Sequence, residues 1–319
     1  MDDLALLIYK RVNVLERIDV SNNKITYAGA NFVFRALLND HVVKRISMGM
    51  NELNGGVIED LELCIRKNKY LEYLGFFECK LSDSVAVTIG NALTDNKRLK
   101  VLVLGSNFIS DNGALAIGKA LIANTALNDL DLSGNQITDR GLEGVVEGIL
   151  KNRTLEGLNL SENKLGDIGG QRLLHSIVQN PHIKRLKIAM NCISKRYITE
   201  METAIKKNII RAENQTRSMI MSQFTNLKNA LIKSDEVKKE TENVKKQKNN
   251  LKKQILEDIQ VLNNAHENKE KHLDLLKEEM EELFAYEKKL DKDIMKVEED
   301  IKVVLRGMYR RLGRRKRGR

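Results

Sequence analysis

The chain has no tryptophan, one proline, three cysteines and 4% aromatic residues in its 319 positions. Each shortage closes off a class of explanation. Cys64, Cys79 and Cys192 are too few and too scattered for a disulfide framework or a zinc site. No stretch of about eighteen consecutive apolar residues occurs, and the opening MDDLALLIYK lacks a basic segment leading into a long apolar run. The sequence therefore predicts a cytoplasmic chain with no transmembrane span. So few rings also leave little platform for stacking single-stranded nucleic acid. P-loop, G-x-S-x-G, H-E-x-x-H and C-x-x-C motifs are all missing. The five histidines, His41, His175, His182, His266 and His272, form no helix-face pair. The expectation is no catalytic residue, no metal site, no cofactor and no small-molecule substrate.

What is present is repetition. LDLSGNQITDRG, Leu130 to Gly141, returns 28 residues later as LNLSENKLGDIG, Leu158 to Gly169. The same step links Asn23, Asn51, Cys79, Asn107, Asn135, Asn163 and Asn191. Apolar residues keep time with it, at Ile18, Ile46, Leu74, Leu102, Leu130, Leu158 and Leu186 and again two positions on. Alternate apolar positions suit a short strand buried on one face, and Leu142, Val145 and Ile149 follow at helical spacing. A strand, a crossover helix and a parallel strand make an economical unit of this length. The recurrent Asn is expected to turn inward and satisfy backbone groups that no strand reaches. Asp83, Asp111, Asp139 and Asp167 stand where a carboxylate can cap each helix. Asp40, Asn68, Asn96, Asn124, Asn152 and Asn180 fall at the helix ends, where a left-handed terminating conformation is expected. Asn152 and Asn214 head N-x-T triplets, but neither is expected to carry a glycan.

These residues spell L-x-x-L-x-L-x-x-N-x-L, which resembles the leucine-rich repeat, and the 28-residue length resembles its ribonuclease-inhibitor-like subclass. Cys79 fits the resemblance, since that family accepts Asn or Cys at this position. It implies an α/β horseshoe of about seven repeats with a parallel sheet inside and helices outside, over about residues 12 to 196.

Beyond Tyr197 proline is absent and glycine scarce, and the pattern becomes that of a long helix. Ile255, Ile259, Leu262, Leu273, Leu276, Met280, Leu283, Leu290, Ile294, Val297 and Ile301 form a coiled-coil seam, interrupted by His266, Lys269 and Glu287. Val237, Val244 and Leu251 make a weaker seam upstream, and KSDE at Lys233 to Glu236 is a plausible hinge or new helix start. So long an apolar stripe must pair with another chain, possible self-pairing included, with itself as a hairpin, or with a large surface. Formal charge is +3 over residues 1–199, −1 over 200–305 and +8 over 306–319. Arg310, Arg311, Arg314, Arg315, Lys316, Arg317 and Arg319 crowd this tail, which is expected to meet a polyanion such as tubulin tails, nucleic acid or phospholipid. The expected division is a repeat domain at 1–198, coiled coil at 199–305 and basic tail at 306–319.

On the concave face, Tyr73, Phe77, Val101 and Val103 are predicted to form an apolar patch flanked by Asp129 and Asp131, a place for a protein partner. The acidic pair has no nearby base to make it catalytic. A horseshoe followed by a coiled coil resembles the organisation of leucine-rich-repeat proteins of ciliary axonemes and centrioles, including the dynein regulatory complex type. That resemblance implies a non-enzymatic scaffold on a microtubule-based structure, with coiled-coil protein partners and a cytoskeletal location. A nucleic-acid adaptor working through the tail and a regulator of a small GTPase are the alternatives. Ran GTPase-activating proteins share the horseshoe, but a strongly acidic segment follows it there, whereas the flank here is neutral and then basic.

Overall fold

The structure, a computed structural model, describes residues 15–53, 59–264 and 269–315. Seven three-residue strands pair in chain order, all parallel: β1 (Arg17–Asp19), β2 (Arg45–Ser47), β3 (Tyr73–Gly75), β4 (Val101–Val103), β5 (Asp129–Asp131), β6 (Gly157–Asn159) and β7 (Arg185–Lys187). Their register equals the sequence period, so Leu102 lies between Leu74 and Leu130. Between the strands run α1 (Tyr27–Leu37), α2 (Glu59–Lys67), α3 (Asp83–Asp95), α4 (Asp111–Ala123), α5 (Asp139–Lys151) and α6 (Asp167–Gln179). This is the α/β horseshoe expected from the repeats.

The core lies between sheet and helices. Leu102 and Leu104 from the strand side meet Ile117 and Leu121 from α4, all fully buried, and each such side chain contributes on the order of 2 kcal/mol through water exclusion. Helices α4 and α5 approach so closely that a Cβ on Gly118 would stand 2.1 Å from the carbonyl carbon of Gly144.

Two polar ladders run through this core. In the first, Asn107 Nδ2 donates to the carbonyls of Phe76 (2.7 Å), Leu104 (2.9 Å) and Gly105 (3.0 Å), while its Oδ1 accepts from the N–H groups of Cys79 (3.0 Å) and Leu81 (2.9 Å). Asn51, Asn135 and Asn163 repeat the arrangement. Cys79 keeps two contacts of its rung, from Sγ to the carbonyls of Met48 at 3.0 Å and Phe77 at 3.6 Å. Burial pushes its thiol up to about 11, and that of Cys64, equally shielded from solvent, up to about 12.

The second ladder corrects an expectation. Asn96, Asn124, Asn152 and Asn180 at the helix ends are extended, not left-handed, with φ −75° and ψ 131° at Asn124. Their work is done by the side chain. Asn124 donates to the carbonyls of Leu93 (2.6 Å) and Asn96 (3.0 Å) and accepts from the N–H groups of Ala126 (2.9 Å) and Leu127 (2.8 Å), tying three successive backbone segments together. The left-handed residues stand elsewhere: one before each rung of the first ladder, at Asn22, Met50, Glu78, Ser106, Gly134, Glu162 and Met190, and one just after each of Asn23 and Cys79, at Lys24 and Lys80.

The aspartates also act between repeats. Asp111 opens α4, yet its carboxylate accepts from the N–H and hydroxyl of Thr138 in the next repeat, both at 2.8 Å. Asp83 takes both groups of Ser110 in the same way, and Asp139 and Asp167 accept from the N–H groups of Gly166 and Ser194. A carboxylate fixed by the next repeat cements two units, whereas a cap on its own helix would have served one.

Contacts divide the chain into Met1–Asn214 and Gln215–Arg319. Helix α7 (Lys195–Asn264) begins in the first unit. There Asn208, 28 residues after Asn180, donates to the carbonyls of Ile177 (3.3 Å), Asn180 (3.2 Å) and Ile183 (3.0 Å). It is a further rung of the second ladder, placed where the helix does not end. In the second unit α7 passes through Lys233 to Glu236 without a break, so KSDE is neither hinge nor helix start. Lys and Glu are good helix formers, and no proline or glycine interrupts the run. Helix α8 (Lys269–Arg315) completes the described chain. Among the described residues no helix is long and apolar enough to cross a membrane.

Candidate protein-interaction surfaces

The concave face is built by the side chains that alternate with the buried leucines. Tyr73, Val101, Val103, Asp129 and Asp131 come together around a depression of about 360 Å³. The guanidinium of Arg45 lies 3.3 Å from the centroid of the Tyr73 ring and covers one side of it. Phe77 belongs to the loop after β3 and does not line this depression. It is exposed, between Gly49 and Gly105, where a Cβ on Gly105 would stand 3.2 Å from its ring. The apolar patch expected as one surface is thus a Tyr73, Val101 and Val103 floor with Phe77 set apart.

The acidic pair divides its roles. Asp129 accepts from Arg185 at 2.9 Å, and the pair spans β6 because Gly157, which registers between them, has no side chain. A Cβ there would stand 2.0 Å from the Asp129 carboxylate. Asp131 accepts from the N–H (2.9 Å) and hydroxyl (2.6 Å) of Ser133, which leaves its second oxygen to a partner.

Residues 95–118, 123–146 and 151–174 each match the Leucine Rich repeat family model. These three segments carry leucine-rich repeats. No curated protein matches it. Solved structures similar to it include leiomodin-1 actin-binding site 2, at 15% identity over 70% of this chain and 96% of that one, TM-score 0.43. The tropomodulin C-terminal domain of Caenorhabditis elegans is 12% identical over 68% and 98%, TM-score 0.36. An internalin from Listeria monocytogenes is 15% identical over 62% and 78%, TM-score 0.32.

Within the second unit, taken by itself, the helices run antiparallel. Lys248 reaches both Glu287 and the Phe284 ring, and Lys252, four residues on, reaches Phe284 three residues back. Leu227, Ser234, Thr241, Lys248 and Ile255, each seven apart, are the buried positions of α7 in this unit. Met280, Leu283, Leu290, Ile294, Val297 and Ile301 of the expected seam are half-buried on α8, and Ile259 is half-buried on α7. The two helices therefore meet within this chain, as a hairpin would bring them together. Val237, Val244 and Leu251 of the weaker upstream seam are half-buried on α7, and sequence reasoning missed the buried Ser234, Thr241 and Lys248 that alternate with them, because a search for apolar residues passes over polar ones. Glu287 turns out to be the partner of Lys248, and this hydrogen bond, with Lys245 and Lys252 nearby, holds its carboxyl below the usual range against a smaller opposing effect of burial.

Leu262, Leu273 and Leu276 lie in helical backbone, and their side chains are outside the described set. The same holds for Arg310, Arg311, Arg314 and Arg315 in α8, while Lys316, Arg317 and Arg319 lie outside the described residues.

Proposed function

We propose that the protein is a non-enzymatic scaffold that holds a protein partner in the concave face of its leucine-rich-repeat array. Solenoids of this kind offer extended concave binding surfaces. The observation that carries the reading is the depression itself, with an apolar floor of Tyr73, Val101 and Val103 beside an Asp131 oxygen free for a partner. Phe77 and Asp129 would border the contact. The division into a repeat domain at 1–198, a coiled-coil segment at 199–305 and a basic tail at 306–319 belongs to the same proposal, with helices and tail anchoring the array to a larger assembly. We place that assembly on a microtubule-based structure of a cilium or centriole, on the resemblance of the architecture and the density of arginine in the tail. Such a scaffold would work in the cytoplasm, with tubulin as the polyanion and coiled-coil proteins against the outer faces of the helices.

Cross-linking mass spectrometry on the protein captured from cells at native level tests both halves. Links from rod lysines to tubulin or axonemal coiled coils are expected, together with links from the array that vanish in a Val103→Asp variant. Array links that survive Val103→Asp would remove the concave face from the proposal. The eight basic residues among the last fourteen favour one second reading, an adaptor on nucleic acid. Rod and tail links to RNA-binding proteins alone would replace the cytoskeletal reading with that one.

A further inference from the structure

The leucine-rich-repeat array ends on an unpaired edge. In each of the six earlier repeats the residue after the strand donates its N–H to the strand that follows: Val20 to Ser47, Met48 to Gly75, Phe76 to Val103, Leu104 to Asp131, Leu132 to Asn159 and Leu160 to Lys187, at 2.8 to 2.9 Å. Two residues on, Asn22, Met50, Glu78, Ser106, Gly134 and Glu162 do the same. Among the described residues, the counterparts just after β7, the N–H groups of Ile188 and Met190, have no hydrogen-bond partner. Neither does the Lys184 carbonyl, although Lys44, Glu72, Lys100, Asn128 and Glu156 each accept at that position from the next repeat.

Beside this edge the eighth repeat is half present. Helix α7 occupies its helix position, fixed by Asn208 and by buried Met201 and Ala204. No strand accompanies it, because the chain continues as helix where a strand would begin. The consequence is an apolar slot of about 600 Å³ between the β7 edge and α7, lined by Leu186, Ile188, Ile198, Met201, Ile205 and Ile209. Leu186 is only half-buried, whereas its six equivalents from Ile18 to Leu158 are buried. An open strand edge with a hydrophobic flank is a template for another strand.

We propose that this slot binds an extended segment of a partner protein, which adds to β7 as an eighth parallel strand. The edge prescribes the chemistry of that segment. Its carbonyls accept from Ile188 and Met190 and one of its N–H groups donates to Lys184, while two apolar residues at alternate positions enter the slot. Between them stand acidic residues, because the outward neighbours on β7 are Arg185 and Lys187, and opposite charges directly across a strand pair attract. Arg185 is already engaged by Asp129, which leaves Lys187 as the free cation of the pair. The surface is separate from the concave depression of the proposed scaffold function, and either could fail without the other.

The chain's own fifth strand has the required pattern, Asp129-Leu130-Asp131-Leu132, so a fluorescent peptide of residues 128–137 serves as the probe. Saturable binding to the full-length protein is expected, with slowed hydrogen exchange at the Ile188 and Met190 amides. Lys187→Glu should weaken binding about tenfold, and a peptide with lysine in place of both aspartates should restore it to that variant. Exchange that is slowed elsewhere, or a Lys187→Glu variant that binds as tightly as the parent, would overturn the proposal. Amides already protected in the free monomer would show the slot filled by another part of this chain, and protection that rises with protein concentration alone would give it to a second copy. Either result would also overturn the assignment to a partner.

Discussion

Asn107 serves five backbone groups at once, three as donor and two as acceptor, and only a side-chain amide carries both functions at that length. Asn107→Ala leaves the N–H groups of Cys79 and Leu81 without their acceptor in a dry interior. The expected cost is about 3 kcal/mol in urea denaturation, the sum expected for two or three orphaned buried groups. A loss below about 1 kcal/mol would mean that the backbone finds other partners and that the ladder is not essential. Cys79 shows the limit of reading such a position from sequence. It keeps the period and two carbonyl contacts, but a thiol cannot replace the amide oxygen. The inward Asn and its partners were legible because repetition exposes them. The conformation of Asn124 was not, since Asn suits both a left-handed terminus and an extended bridge, and only the carbonyls of the preceding repeat decide between them.

Between elements, α4 and α5 pack with almost no space between their backbones. Gly118→Ala puts a methyl group 2.1 Å from the backbone of Gly144, so the helices must separate or the sheet must bend. Overpacking of this kind costs about 1–3 kcal/mol, and a fall in thermal midpoint with unchanged helix content would show it. An Ala variant as stable as the parent would mean that α4 and α5 slide freely. In the antiparallel helices the contact to test is Lys248 with Glu287. The folded carboxyl titrates below its ordinary value, so the stability it supplies is present above the ordinary carboxylate range and is lost as pH falls through the lowered value. Glu287→Gln should remove the part of the acid-induced loss of helical circular dichroism that belongs to this group and lower the midpoint at neutral pH. Identical acid limbs in both proteins would refute the assignment. The α8 seam could be read from its leucines and isoleucines. The polar half on α7 could not, because a lysine is recognised as a seam residue only once its glutamate is in place.

At the scale of the whole molecule, +8 of the net +10 resides in residues 306–319. A chain lacking them should lose most of its affinity for polyanions, and the remaining affinity should depend little on salt. Co-sedimentation with microtubules at two ionic strengths measures this, and an unchanged salt dependence after the deletion would move the contact elsewhere. The repeat count and register were legible to the residue, because a 28-residue period permits one parallel pairing. The slot beside β7 was not, because it arises where a repeat stops midway, and a period shows its regular members more readily than its last partial one. The asparagine rungs have a further consequence, for the order in which the chain folds. The side chains of Asn107, Asn135 and Asn163 donate to carbonyls at most 31 residues upstream, and those of Asn124, Asn152 and Asn180 reach back no further. Each unit can therefore dock on its predecessor as soon as it leaves the ribosome, without waiting for distant sequence. The array is expected to grow from its amino-terminal end as it is synthesised, with little interval in which bare strand edges could find one another and aggregate.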